Sequence, residues 1–265
     1  MNSLRQLVKS PLLFAAITGN LAKVENLVRA GADVNKGTKE TGITPLYMAA
    51  GDGHVAVVQY LVQHGADKDK ATDDGGTPLC VAAQQGRLPV VQYLVQHGAD
   101  KNKAANDGST PLFVAALRGH LAVVQCLVQQ GSDKDKATND GCTPLFAAAQ
   151  NGHFEVIQYL VRQTADKDKA NSNGCTPINI AAQEGHLAVV QCLVQQGVDK
   201  NQTDRNGNTP LYFAAANDNM AIVQYLVQQE ADINQANNDG HTPLAAATAM
   251  GHTAVAHYLR EHGAI

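Results

Sequence analysis

Tryptophan is absent from this 265-residue chain, and aromatic residues make up only 5% of it. The apolar share is nevertheless 44%, so the chain can bury a core and is not of disordered composition. A core of Ala, Leu and Val with few rings points to many thin layers rather than one thick one. Positive charge is not in excess: 20 Lys and Arg against 24 Asp and Glu leave a net −4. That argues against nucleic acid as a partner, because neutralising phosphates needs a basic face. No apolar run approaches the ~20 residues of a transmembrane helix, so no membrane insertion is expected. Five cysteines, an odd number without a CxxC pair, suggest neither a disulfide framework nor a zinc cage. Phosphate-binding loops, dinucleotide fingerprints and the H-E-x-x-H metalloprotease motif are all missing. A soluble protein of a reducing, cytoplasmic compartment is expected, with no cofactor, no catalytic residues and no metal ligands.

What is present is repetition. Thr-Pro recurs at Thr44-Pro45, Thr77-Pro78, Thr110-Pro111, Thr143-Pro144, Thr176-Pro177, Thr209-Pro210 and Thr242-Pro243, always 33 residues apart. Ser10-Pro11 adds a weaker copy, offset by one residue. A fixed period of this size is the signature of a stacked array. The chain reads as a single domain, 1–265, with an N-terminal capping repeat at 1–43 and a C-terminal one at 242–265. Between them lie internal repeats 44–76, 77–109, 110–142, 143–175, 176–208 and 209–241.

Each unit has a physical reading. Thr77 can cap a helix, and Pro78 fits the first helical position, where its missing N–H costs nothing. Leu79, Ala82 and Ala83 make the apolar side of a short helix that ends at Gly86. Leu88, Val91, Leu94 and Val95 form the stripe of a second helix, which Gly98 terminates in a left-handed conformation. Ala99 to Ala104 runs extended, and Asn106-Asp107-Gly108 turns the chain into the next Thr-Pro. Helices this short are marginal alone, so each unit must lean on its neighbours. Ala pairs such as Ala82-Ala83 and Ala115-Ala116 would let neighbouring helices approach closely.

The fourth unit reads Asp107-Gly108-Ser109-Thr110-Pro111-Leu112, Ala115-Ala116, Gly119-His120, Val123-Val124, Leu127-Val128 and Gly131. This pattern resembles the ankyrin repeat, and the resemblance covers nearly all of 11–265. It implies an all-α repeat solenoid of about eight repeats, each a helix-turn-helix unit with a protruding β-hairpin. Several residues depart from the family pattern. The usual Thr-Pro-Leu-His has Tyr47, Cys80, Phe113, Phe146, Asn179, Tyr212 or Ala245 in place of His, which puts that histidine's inter-repeat hydrogen bond in doubt. Thr164 and Glu230 replace helix-ending glycines. Asp218-Asn219 replaces Gly-His, so a distorted turn is expected in the seventh unit. One extra residue lies within Asn35 to Gly42. Ala256, Arg260 and Glu261 dilute the last apolar stripe, as a capping unit requires. At the other end, Leu4, Leu7 and Val8 could cover Leu12 and Leu13.

The candidate chemistry reads mostly as structure. His54, His120, His153, His186 and His252 share a column, but layers ~8–10 Å apart cannot bring imidazoles to ~2 Å from one ion. A turn histidine before the second helix is expected. Layer spacing likewise disfavours a disulfide between Cys142 and Cys175. Cys126 and Cys192 alternate with tyrosines at a packing position. Nine of the thirteen lysines fall in the Asp-Lys hairpin stripe that begins at Asp67-Lys68-Asp69-Lys70. On an extended segment, acidic and basic side chains would face opposite sides. Solvated charge that discourages edge pairing is the expected role, with steering of a charged partner as the alternative. Arg5 to Ile17 faintly mimics a signal peptide but fits the repeat register better. The resemblance also implies that hairpin asparagines Asn35, Asn102, Asn201 and Asn234 could be hydroxylated.

The family resemblance implies a non-enzymatic module that binds a protein or peptide along its concave face and hairpin tips. Projected onto this sequence, that face takes in Gln84, Gln85, Asn106 and Ser109, then Leu117, Arg118 and Asn139. It continues through Gln150, Asn151, Ser172, Gln183 and Glu184 to Arg205 and Asn208. Leu117 beside Arg118 is the expected anchor, since binding hot spots favour Arg. A monomer is expected. The alternative is a structural spacer or adaptor segment of a larger protein such as a channel, kinase or ubiquitin-ligase component.

Overall fold

The structure, a computed structural model, describes residues 10–265. The expected covering segment at Leu4, Leu7 and Val8 lies outside the described residues. Contacts divide the chain into two compact units, Met1–Asp133 and Lys134–Ile265.

In the first unit the described helices are α1 (Pro11–Ile17), α2 (Leu21–Arg29), α3 (Pro45–Asp52), α4 (Val55–Gln63), α5 (Pro78–Gln84), α6 (Leu88–Gln96), α7 (Pro111–Leu117) and α8 (Leu121–Gln129). In the second they are α9 (Pro144–Gln150), α10 (Phe154–Arg162), α11 (Pro177–Gln183), α12 (Leu187–Gln195), α13 (Pro210–Ala216), α14 (Met220–Gln228), α15 (Pro243–Ala249) and α16 (Thr253–Glu261). Within each unit, first helices pack on first helices and second helices on second helices, one layer per repeat.

Local chemistry starts each first helix. Thr77 is extended (φ −98°, ψ 163°), and its Oγ1 accepts the Cys80 N–H at 3.2 Å. Thr110 does the same for Phe113 at 3.1 Å, and Thr143 for Phe146 at 3.1 Å. Each cap contributes about 1 kcal/mol. Ser10, in the weaker first copy, makes no such bond.

Stacking supplies the core. Leu79, Ala82 and Ala83 are fully buried, as are the equivalent Leu145, Ala148 and Ala149. A fully buried Leu contributes about 1.5–3 kcal/mol over an exposed one. In α6 the buried residues are Val90, Val91 and Leu94, whereas Leu88 and Val95 are only half-buried. The adjacent valines displace the expected stripe because a second helix meets both its own first helix and the neighbouring second helices.

The turns keep one backbone geometry whatever residue fills them. Gly98 has φ +84°, and the equivalent Thr164 and Glu230 both hold +59°. Asp218 holds +58°. Its turn is not distorted: the Asn219 N–H bonds Ala214 O at 2.9 Å, as the His120 N–H bonds Ala115 O at 2.9 Å. The sequence departure therefore becomes backbone strain at a non-glycine residue, without a change of path.

Connections between layers fold back as hairpin loops. The Thr72 N–H bonds Gly76 O at 2.9 Å, and the Gly75 N–H bonds Thr72 O at 2.8 Å. Neighbouring tips share a backbone bond, such as Asn106 N to Asp74 O at 3.0 Å or Arg205 N to Asn173 O at 3.1 Å. One bond per step makes no ladder, and no strand forms among the described residues. The extra residue of the first hairpin is taken up inside its turn, where the Gly42 N–H bonds Thr38 O at 3.1 Å.

Candidate partner-binding surface

The histidine column joins layers. His54 Nε2 lies 2.9 Å from Ile17 O, His120 Nε2 3.0 Å from Gln84 O, His186 Nε2 3.0 Å from Gln150 O and His252 Nε2 3.1 Å from Ala216 O. Each ring reaches the C-terminal end of the preceding first helix, where carbonyls lack an intrahelical partner. Arg87 fills the column in its layer and donates from Nε to Gly51 O at 3.0 Å. Asn219 donates from Nδ2 to Ala182 O and Gln183 O, both at 2.9 Å. Any donor of suitable reach thus completes the joint. At the position where the family's histidine is missing, the sixth repeat bonds its first helix to its own hairpin. There Asn179 accepts the Thr176 N–H at 3.1 Å and donates to Gln202 O at 3.0 Å.

The charged hairpin stripe is also partly built into the seams. It is not an extended strand with opposite charges on opposite sides. Asp67 Oδ1 accepts the Asp69 N–H at 2.9 Å, curling the segment into a turn, as Asp side chains readily do. Asp69 Oδ1 then accepts the Asp100 N–H of the next layer at 2.9 Å, and Asn102 Oδ1 accepts that of Asp133 at 3.0 Å. Asp and Asn interchange here because the joint needs one acceptor oxygen. Asn35 serves it twice, accepting from Asp67 N at 2.8 Å and donating to Gly65 O at 2.9 Å. Asn201 and Asn234 accept in the same way, from Asp232 N and Ile265 N at 3.0 Å. Lysines tie back to the preceding hairpin, with Lys70 Nζ 2.8 Å from Asn35 O and Lys103 Nζ 2.6 Å from Asp69 O.

The five cysteines are free thiols. Burial raises the pKa of every one, most for Cys175, which is pushed up to about 12 with Asp204 and Cys142 adding to the effect. Protonated thiols are poor nucleophiles. Among the described residues no group of three or more His, Cys, Asp or Glu side chains is placed to hold a metal ion.

Open space lies between the first helices and the hairpin tips. In the second unit a groove of about 600 Å³ runs there. Its floor is Phe146, Ile180 and Phe213, from three successive layers; Phe146 and Ile180 are buried and Phe213 is half-buried. Gln150 and Gln183 form one wall, and Asp140, Ser172, Asp204 and Arg205 line it from the hairpins. A smaller groove of about 280 Å³ in the first unit is lined by Tyr47, Met48, Val81, Gln85 and Asp52. Sequence projection reached the walls through Gln85, Gln150, Ser172, Gln183 and Arg205 but missed the apolar floor. The available signal was the fourth residue after the capping Thr, which is Met48, Val81, Ile180 or Phe213 in a helix too short to reveal its open face.

The other projected residues are placed as follows. Gln84 is half-buried, and its carbonyl is the partner of His120. Asn106 is exposed, but its amide donates to Asp73 O at 2.9 Å. Ser109 is buried, and its hydroxyl bonds Asp107 Oδ2 at 2.8 Å. Leu117 is half-buried beside an exposed Arg118, and Asn139 and Asn151 are exposed. Glu184 is exposed and accepts from Gln183 Nε2 at 3.0 Å. Asn208 is half-buried between Asp204 and Asn237.

Among the described residues no helix is long and apolar enough to cross a membrane. No curated protein matches the chain at a significant level. A family model described as ankyrin repeats (3 copies) matches residues 12–105, 102–171 and 178–265. Paired helices at a 33-residue step, threonine-capped and joined by hairpins, agree with that match along both units, and the chain belongs to the ankyrin-repeat family.

Proposed function

We propose that the chain is a non-enzymatic interaction module that holds a protein or peptide along its first helices and hairpin tips. The observation that carries this reading is the groove of the second unit, an apolar floor flanked by amides and a few charges. Pockets with an apolar lining and a small number of placed polar groups bind ligands well. Asn and Gln side chains offer hydrogen bonds without the desolvation penalty of a charge. The partner-facing set is Gln85, Leu117, Arg118, Asn139, Gln150, Asn151, Ser172, Gln183, Glu184 and Arg205. Gln84, Asn106, Ser109 and Asn208 support it from within the layers. A scaffold role in a reducing, cytoplasmic compartment suits five free thiols, and a protein rather than a nucleic acid suits the net charge of −4.

Affinity capture with mass spectrometry tests the reading. The parent chain and a Gln150→Ala/Gln183→Ala variant serve as paired baits. Proteins retained by the parent and lost by the variant are expected. Identical captures from both would count against this surface.

A further inference from the structure

The groove of the second unit carries opposite charges at its two ends, and each is unengaged. In the hairpin of the first unit, Asp107 is held by the Ser109 N–H and hydroxyl, both at 2.8 Å. In the corresponding hairpin of the second unit, the residue two after Asp140 is Cys142. Its N–H turns to Thr138 Oγ1 at 3.2 Å. The exposed Asp140 carboxylate is left without a hydrogen bond or ion pair among the described residues. Two layers on, Arg205 is exposed. Its backbone N–H bonds Asn173 O and its carbonyl accepts from Asn238 Nδ2, but its guanidinium engages nothing among the described residues. Asp204 beside it is occupied by its own turn, accepting the Asn206 and Asn208 N–H groups at 2.9 and 2.8 Å. The floor beside them is Phe146, Ile180 and Phe213, with Ile180 on the middle helix and Phe213 on the helix that follows Arg205.

Resting on the interaction reading above, we propose that this groove takes an extended peptide segment of defined charge order. A Lys or Arg sits over Asp140, an apolar side chain fills the centre against Ile180 and Phe213, and an Asp or Glu meets Arg205. Layers ~8–10 Å apart place the two charges about 20 Å from each other. An extended chain covers that span in about six residues. Charge order at the rim selects partner and register more than it adds affinity. The reverse order would set like charges together at both ends.

A nonapeptide library displayed on phage, selected on the full chain and counter-selected on Phe213→Ala, tests this. Groove-dependent peptides are expected to carry a base and an acid about six residues apart with an apolar residue between. The surface variant Asp140→Lys/Arg205→Glu, at two exposed positions, is expected to select the reverse order and to bind parental-order peptides about tenfold more weakly. A melting curve of each variant establishes that it is folded. Groove-dependent peptides with no charge order, or an unchanged preference in the charge-swapped variant, would overturn the charge register while leaving the interaction module standing. Selection that ignores Phe213 altogether would remove the groove as a docking site.

Discussion

His120 Nε2 lies 3.0 Å from the carbonyl oxygen of Gln84, which precedes it by 36 residues. The ring also rests on Gly86, where a Cβ would come within 2.8 Å of Nδ1. A polar joint and a close contact therefore share one side chain at the seam between two layers. Nearest-neighbour terms of this kind set the stability of a repeat array.

Replacing His120 with Ala should destabilise the protein by about 1 kcal/mol, the usual net worth of one hydrogen bond. Asn at the same position should recover much of the loss, since Asn219 already performs this role. Denaturant midpoints for the parent and the two variants check the expectation, and an unchanged midpoint in His120→Ala would show that the bond contributes nothing.

Thr164 and Glu230 hold φ +59° at turns where most layers have glycine. A Cβ at the equivalent Gly65, Gly98 and Gly197 would meet nothing within 4 Å, so the strain is purely backbone. Thr164→Gly and Glu230→Gly should each stabilise by about 1 kcal/mol. Thermal unfolding reads the shift, and a fall in midpoint would refute it.

Ser132 is buried, and its hydroxyl has no hydrogen-bond partner among the described residues. Its counterparts Ala66, Ala99, Ala165, Val198 and Ala231 are all apolar. Ser132→Ala should raise stability by about 1–2 kcal/mol through relief of an unpaid desolvation. Chemical denaturation of the single variant decides it.

The double variant Leu117→Ala/Arg118→Ala should weaken partner capture while leaving the far-ultraviolet circular dichroism and cooperative melt in place. Arg118 is exposed and Leu117 half-buried, so the change removes a surface anchor more than core. Full retention of partners by a folded double variant would exclude these two residues.

Asp74 carries a pKa below its ordinary value of 3.8, chiefly because the Thr72 hydroxyl bonds its carboxylate and secondarily because the Gly76 N–H does. A depressed folded pKa means stability that is fully present above the ordinary value. It is lost as the pH falls through the folded one. Thr72→Val should therefore lose less stability than the parent between about pH 5 and pH 2. Parallel acid titrations of the two proteins, followed by unfolding midpoint, test the sign.

Much of the site's framework could be read from residue order. Threonine caps, proline starts, alanine pairs and glycine stops each act within a few residues, and each appears where its spacing placed it. The walls of the groove, Gln150 and Gln183, followed from their distance to those caps. The floor did not. Phe146, Ile180 and Phe213 lie on helices of seven residues, too short for periodicity to separate an inner face from an open one.

The 33-residue period and the chemistry of its caps thus determined the layered fold, because those interactions are local and recur in every copy. Tertiary packing alone decided what the polar columns do. Whether His54 binds an ion or a neighbouring carbonyl, and whether Asp140 is satisfied or left free, depends on atoms more than thirty residues away or on a competing acceptor in the same loop. Hydrogen bonds form on distance and direction in space, and separation along the chain carries neither.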